Sequence, residues 1–239
     1  MSDSEKNGSG HVLNGPRLAP ARGQATHLIV LCHGYGSDGN DLIGIARHWQ
    51  DILPGAAFAA PHAPERCVQA ANGFQWFSLS RIDPHETLAG VEAATPLLDA
   101  FLDAELERVN LPPERLALVG FSQGTMMALH VGLRRRVSPA ALVGFSGLLA
   151  APEAVPVLKN PPPILLLHGQ DDQVIPDTAL FAAAIALGAA DMAVQWHRTP
   201  GLGHGIDQDG MMLAGRFLRD AFSGRLAVRN LPLACRLGG

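Results

Sequence analysis

Ser122 sits between two glycines in the stretch LALVGFSQGTMMALH, residues 116–130. Its immediate frame, Gly120-Phe121-Ser122-Gln123-Gly124, has the form G-x-S-x-G. The apolar run before it predicts a strand at residues 116–119, and the pattern after it predicts a helix at 123–133. A serine at so sharp a strand-to-helix turn takes a strained backbone conformation. The residues two positions to either side come too close for a β-carbon, and glycine at both places removes the clash. The hydroxyl is then held at the C-terminal edge of a sheet and at a helix N-terminus, where a nucleophile for acyl transfer belongs. Such a pentapeptide also arises by chance as a plain tight turn, and the strand before and helix after it are what separate the two readings. Ser146 makes a useful contrast. It too ends a predicted strand, but Leu148 stands where the second glycine would be, so it reads as loop.

A serine hydroxyl attacks only when a base takes its proton, and the base needs an acid to orient it. On a nucleophile elbow the chain order is serine, then acid, then histidine. The segment LLLHGQDDQVIP, residues 165–176, offers Asp171 and Asp172 just past a strand, and the residues alone leave the choice between them open. The segment TPGLGHGID, residues 199–207, offers His204 in a glycine-rich loop after the next strand. Both lie beyond strand C-termini, where open α/β sheets place their ligands. Other histidines fit less well. His168 precedes the acid and reads as structural. His197 lies within a predicted strand, and His130 lies two helical turns from Ser122. His33 precedes a glycine loop, and His62 and His85 have no partner that the sequence identifies.

The tetrahedral intermediate of acyl transfer carries an oxyanion, which two backbone N–H donors stabilise by about 3 kcal/mol each. Gln123, directly after the nucleophile, supplies one. The loop after the first buried strand, CHGYGSDGND at residues 32–41, supplies the other at Tyr35. These glycines could instead form only a tight turn. The loop lacks the GxxxxGK[ST] lysine of a phosphate cradle.

These groups need a scaffold. Short apolar strands are predicted at residues 28–32, 57–60, 116–119, 141–145, 164–168 and 192–197. Helices are predicted at 42–52 with Asp41 as cap, at 86–109, 123–133, 177–187 and 208–222. Pro96 falls within the second and predicts a kink, or a restart capped by Thr95. Strands apolar on both faces, alternating with helices, give an α/β fold with a mostly parallel central sheet and helices on both faces. Residues 62–85 have no clear period, which is unusual inside a compact domain and often functional. Trp76 and Phe77 lie there as candidates to line a substrate site, with plain core as the other reading.

The chain has 239 residues, 47% hydrophobic and 17% charged, enough for one sizeable domain. A formal net charge of −4 leaves no basic footprint for nucleic acid. The basic run Arg134–Arg136 reads as dipole compensation at a helix end. Three scattered cysteines, Cys32, Cys67 and Cys235, suit a reduced, cytoplasmic chain and show no metal-ligand spacing. No signal sequence and no transmembrane span is expected. The expected organisation is a disordered leader at 1–14, one domain at 15–223 and a tail at 224–239. Exposed apolar residues around 62–85 suggest a possible homodimer.

Five segments together resemble the phospholipase/carboxylesterase family of the α/β-hydrolase superfamily, which includes acyl-protein thioesterases. They are LCHGYGSDGNDL (31–42), QWFSL (75–79), LVGFSQG (118–124), LLLHGQDDQVIP (165–176) and GLGHGI (201–206). The resemblance implies a single-domain α/β-hydrolase fold without a large lid. It implies a catalytic triad of Ser122, Asp172 and His204, taking Asp172 over Asp171 because the family's acid lies four residues before the proline, here Pro176. It implies an oxyanion hole at Tyr35 and Gln123, a small carboxylic ester as substrate with thioester and lysophospholipid bonds as further options, and neither cofactor nor metal. Thr125 departs from the small residue often found there and is expected to crowd the helix start. Two rivals remain: a dienelactone-hydrolase-like C–O hydrolase, which tends to carry cysteine at the elbow, and a non-catalytic binding module on the same fold.

Overall fold

The computed structural model describes residues 12–79 and 83–226. Residues 1–11 of the expected leader and 227–239 of the expected tail therefore lie outside the described residues. Leu13 is already buried in the core, and the Asn14 carbonyl accepts from the His62 N–H.

The elements run β1 (Arg17–Leu18), β2 (His27–Cys32), α1 (Gly39–Trp49), β3 (Ala56–Ala59), β4 (Glu65–Arg66), β5 (Phe74–Gln75), α2 (Pro84–Arg108), β6 (Leu116–Phe121), α3 (Gln123–Gly132), β7 (Ala141–Phe145), β8 (Ile164–Gly169), α4 (Thr178–Ala189), β9 (Val194–Thr199) and α5 (Gln208–Phe222). Seven strands form one sheet in the order β1-β3-β2-β6-β7-β8-β9, parallel throughout except that β1 is antiparallel to β3. The strand order turns around between β2 and β6, so the crevice at their C-terminal ends is where such a sheet takes ligands. Cys32 pairs with Gly120 across that junction, which sets the loop after β2 beside the turn after β6.

Two apolar cores sandwich the sheet. One face of β2 and β6 (Leu28, Val30, Leu116, Leu118) packs on α2, α3 and α4; the other (Ile29, Leu31, Ala117, Val119) packs on α1 and α5. Every residue of α3 is buried, which explains why its sequence shows no polar stripe. On the opposite face Trp49 ties α1 to α5. Its indole N–H donates to the Met211 carbonyl at 2.9 Å, and its ring lies where a β-carbon on Gly215 would come within 2.7 Å.

Several boundaries differ from expectation. Helix α1 starts earlier, because Asp38 rather than Asp41 caps it, accepting from the N–H groups of Asn40 and Asp41. Helix α2 begins at Pro84 under an Asp83 cap and runs on through Pro96 without a restart, with the Thr95 hydroxyl donating to the Val91 carbonyl. Strand β9 lies two residues later than expected. Met192 turns into the core before the strand begins, and an edge strand that is half exposed carries little apolar pattern to mark its start. Residues 62–85 contain the small antiparallel ribbon β4–β5.

Candidate active site

The turn after β6 has the strain that its sequence demands. Ser122 adopts φ 54°, ψ −118°, in a region that L-residues rarely visit. A β-carbon on Gly124 would stand 1.9 Å from the Cys32 carbonyl oxygen, and one on Gly120 would stand 2.3 Å from the Gly124 carbonyl oxygen. Helix α3 thus starts jammed against the end of β2, which only glycine permits.

The structure brings Ser122, His204 and Asp172 into one line. His204 Nε2 lies 3.0 Å from Ser122 Oγ, and His204 Nδ1 lies 2.8 Å from Asp172 Oδ2. The carboxylate can only accept, so Nδ1 carries the proton and Nε2 keeps the lone pair that receives the serine hydroxyl. Asp172 Oδ1 accepts from the N–H groups of Val174 and Ile175 at 2.8 and 2.9 Å. Burial acts to raise the Asp172 carboxyl, but the hydrogen bonds from His204, Ile175 and Val174 outweigh it and hold the group below the usual carboxylate range. Asp172 therefore stays ionised at neutral pH. Asp171 is exposed, and its N–H donates to the Leu202 carbonyl. Ser122 is 8% exposed, enough to be reached from solvent.

The backbone N–H groups of Tyr35 and Gln123 have no acceptor among the described residues. Gln123 does more than its place after the nucleophile suggests. Its side-chain oxygen accepts from the Trp76 N–H at 2.9 Å, and its amide nitrogen donates to the Phe77 carbonyl at 2.8 Å. The Trp76 indole N–H donates to the His33 carbonyl at 2.9 Å. Trp76 and Phe77 are 1% and 4% exposed and belong to the core. Through these hydrogen bonds they tie the segment after β5 to Gln123 and to the loop after β2.

Three further residues support the site without a motif to announce them. The Ser146 hydroxyl donates to the Gly205 carbonyl at 3.2 Å, and so holds the loop that carries His204. Like Ser122, Ser146 has a positive φ, 44°. His168 is buried, with Nε2 2.8 Å from the Ile175 carbonyl and 3.2 Å from Asp172 Oδ2, so it braces the acid loop. The Thr125 hydroxyl donates to the Phe145 carbonyl at 2.9 Å. Its crowding is absorbed opposite, where a β-carbon on Gly147 would come within 2.3 Å of Thr125 Cβ. The partners of Ser146 and Thr125 lie 59 and 20 residues away in sequence, whereas those of His168 lie within its own loop.

Cys32 ends β2 beside the elbow, but burial pushes its thiol up to about 12, which leaves it inert as a nucleophile. Among the described residues no group of three or more His, Cys, Asp or Glu side chains is placed to hold a metal ion.

An apolar cavity of 190 Å³ opens on the α2/α3/α4 side of the sheet's C-terminal edge. Pro84 and Thr87 of α2, the segment 148–152 that follows β7, and Ala179, Ala182 and Ala183 of α4 line it. No helix among the described residues is long and apolar enough to cross a membrane.

The chain is similar to known esterases and thioesterases over most of its length. The sequence model described as phospholipase/carboxylesterase matches residues 13–222. The chain is 24% identical over 222 residues to acyl-protein thioesterase 1 of Gibberella zeae, covering 85% of this chain and 94% of that one. It is 29% identical over 196 residues to the esterase YpfH of Escherichia coli, covering 82% and 83% of the two chains. Among solved structures, esterase PE8 superposes with a TM-score of 0.83 at 43% identity, over 88% of this chain and 99% of that one.

Proposed function

The chain belongs to the phospholipase/carboxylesterase family of α/β-hydrolases and is a serine hydrolase acting on ester bonds; within that family we propose that Ser122, His204 and Asp172 are its catalytic triad. The observation that carries this reading is the 3.0 Å approach of His204 Nε2 to Ser122 Oγ, with Asp172 2.8 Å behind the same ring. His204 takes the Ser122 proton as Oγ attacks the acyl carbonyl carbon. Asp172 holds the ring in the required tautomer and stabilises the imidazolium that forms. The N–H groups of Tyr35 and Gln123 receive the oxyanion. The tetrahedral intermediate collapses, His204 gives the proton to the departing alcohol or thiol, and the acyl group stays on Ser122. Water then repeats the sequence, with His204 again as base, and releases the acid.

The acyl chain is assigned to the alanine-lined cavity. A cavity of about 150 Å³ holds benzene, so 190 Å³ has room for roughly six to eight carbons. That favours short and medium acyl groups, on an oxygen or a sulfur leaving atom. The similarity to acyl-protein thioesterases supports including thioesters. Buried free thiols at Cys32 and Cys67 support a cytoplasmic setting. A homodimer through residues 62–85 would rest on Val68, 92% exposed, because Trp76 and Phe77 are buried; sedimentation of the Val68→Ser variant beside the wild type tests it.

The deciding experiment is covalent labelling with a fluorophosphonate, alongside hydrolysis of p-nitrophenyl esters from C2 to C16. Labelling at Ser122 and loss of turnover in Ser122→Ala are expected. Turnover that survives in Ser122→Ala would sink the triad reading.

A further inference from the structure

The two ring nitrogens of His33 are committed in different directions. Nδ1 lies 2.8 Å from the Gly34 carbonyl oxygen, and Nε2 lies 2.9 Å from the Ala63 backbone nitrogen. A carbonyl only accepts and a backbone N–H only donates, so Nδ1 carries the proton and Nε2 accepts. Burial lowers the pKa of this ring against the opposing pull of the Gly34 carbonyl, which favours the same neutral form. The ring is fully buried, so neither bond competes with water.

The consequence lies one bond further along the chain. No described peptide bond is cis, and in a planar trans peptide the C=O and N–H point in opposite directions. Tying the Gly34 carbonyl down to the buried ring therefore turns the Tyr35 N–H up and away from it. That peptide lies against the elbow, since a β-carbon on Gly34 would stand 3.0 Å from Phe121 Cδ1 and 3.3 Å from Ser122 Cβ. The Tyr35 N–H has no acceptor among the described residues, as a donor reserved for a ligand should not.

We propose that His33 is a positioning residue for the oxyanion donor: through the Gly34 carbonyl it sets the direction of the Tyr35 N–H, and through Ala63 it anchors that direction to the chain following β3. The proposal rests on Tyr35 being an oxyanion donor, as read above. His33 touches no substrate atom. It acts only through the peptide it orients, and the Trp76 indole on its carbonyl holds it from the other side.

Two substitutions separate its two bonds. The side-chain nitrogen of asparagine sits as far from the backbone as Nδ1, so His33→Asn keeps a donor for Gly34 and loses the Ala63 tie. The side-chain oxygen of glutamine reaches as far as Nε2, so His33→Gln keeps the Ala63 acceptor and frees the Gly34 carbonyl. The assay is p-nitrophenyl acetate hydrolysis, whose acyl group is too small to need the cavity, with Ser122→Ala run alongside. In His33→Gln, kcat is expected to fall about 10- to 100-fold with KM nearly unchanged, the loss that follows from a misaimed oxyanion donor. In His33→Asn, kcat should stay near wild type while the melting temperature drops. A trifluoromethyl ketone, which forms an oxyanion on addition of Ser122, should bind His33→Gln more weakly by the same factor as kcat. Wild-type kcat in folded His33→Gln, or an equal loss in both variants, overturns the proposal. If His33→Gln does not fold, His33→Asn decides alone, and a large kcat loss there overturns it. Wild-type turnover by Ser122→Ala would instead overturn the acyl-transfer reading on which the proposal stands.

Discussion

Where the elbow meets the end of β2, a methyl group added at Gly124 would stand 1.9 Å from a carbonyl oxygen; beside α4, five alanines line 190 Å³ of open space. The first region is held by crowded backbone and by the hydrogen bonds of His33, Gln123 and Trp76. The second is apolar and open, walled by small side chains. The contrast separates two tasks. Stabilising a transition state requires donors fixed before the substrate arrives. Accepting an acyl chain requires space, and the discrimination available there is modest, about 1–3 kcal/mol per methylene.

The largest expected effects lie in the crowded half. Ser122→Ala should lower kcat/KM for p-nitrophenyl acetate by about 10⁶, and Asp172→Asn should lower it by about 10⁴, because the amide would favour the wrong His204 tautomer. Similar losses with long-chain and short-chain esters would be the sign that the chemistry, and not acyl binding, has been removed. A decrease of less than tenfold in either variant would break the assignment.

Gly124→Ala tests whether crowding itself matters. Overpacking of this kind costs about 1–3 kcal/mol, and near 240 residues each kcal/mol lowers the melting temperature by about 2–4 °C. Calorimetry should therefore show a drop of several degrees, with reduced turnover in the fraction that folds. The matching change across the site, Ala179→Leu in α4, should leave the melting temperature nearly unchanged. It should also lower kcat/KM for C8 esters about tenfold relative to acetate. Equal sensitivity at the two positions would erase the contrast.

The smallest effect isolates stability from chemistry. His130 lies on α3, two turns past Ser122, 3% exposed and with Nδ1 unpartnered. Burial, with a smaller contribution from Arg134, lowers it from 6.5 to about 4. In the unfolded chain it would take up a proton near 6.5, whereas the folded chain resists until about 4. Its contribution is thus intact above 6.5 and is lost progressively as the pH falls toward 4. His130→Leu should make the fall in melting temperature between those values shallower, with His27 and His33 still contributing to it, without changing the activity profile at neutral pH. A parallel shift in both would place His130 in the catalytic half after all.

What could be read from the sequence divides along the same line. Ser122 and His204 are legible as candidates because each sits in a local motif at a strand end, and the elbow's glycines spell out a conformation that needs them; Asp171 and Asp172 stay level until the family resemblance chooses between them. The braces are not. His33 finds Ala63, and Gln123 finds Trp76 and Phe77, only once the sheet has brought the ends of β2, β3 and β6 together. Trp76 and Phe77 attract notice as large aromatic side chains in an aperiodic segment, yet their burial depends on packing beneath the elbow that no spacing encodes. The sheet was readable from strands apolar on both faces. Strand β9 shifted because its outer edge lacks that pattern, and α1 shifted because Asp38 and Asp41 are both competent caps and only the chain's exit from the glycine loop chooses between them.

The indole of Trp49 has a consequence for motion. The loop bearing Tyr35 leads directly into α1, and the loop bearing His204 leads directly into α5, so each active loop is the free end of a helix clamped elsewhere. Trp49 joins those two helices through the Met211 carbonyl and the surface of Gly215. A thermal excursion that lifts one helix from the sheet must strain the other. The two loops should therefore open as a single cooperative unit, with the amide protons of α1 and α5 exchanging with solvent at matched rates while those of α3, buried throughout, exchange far more slowly.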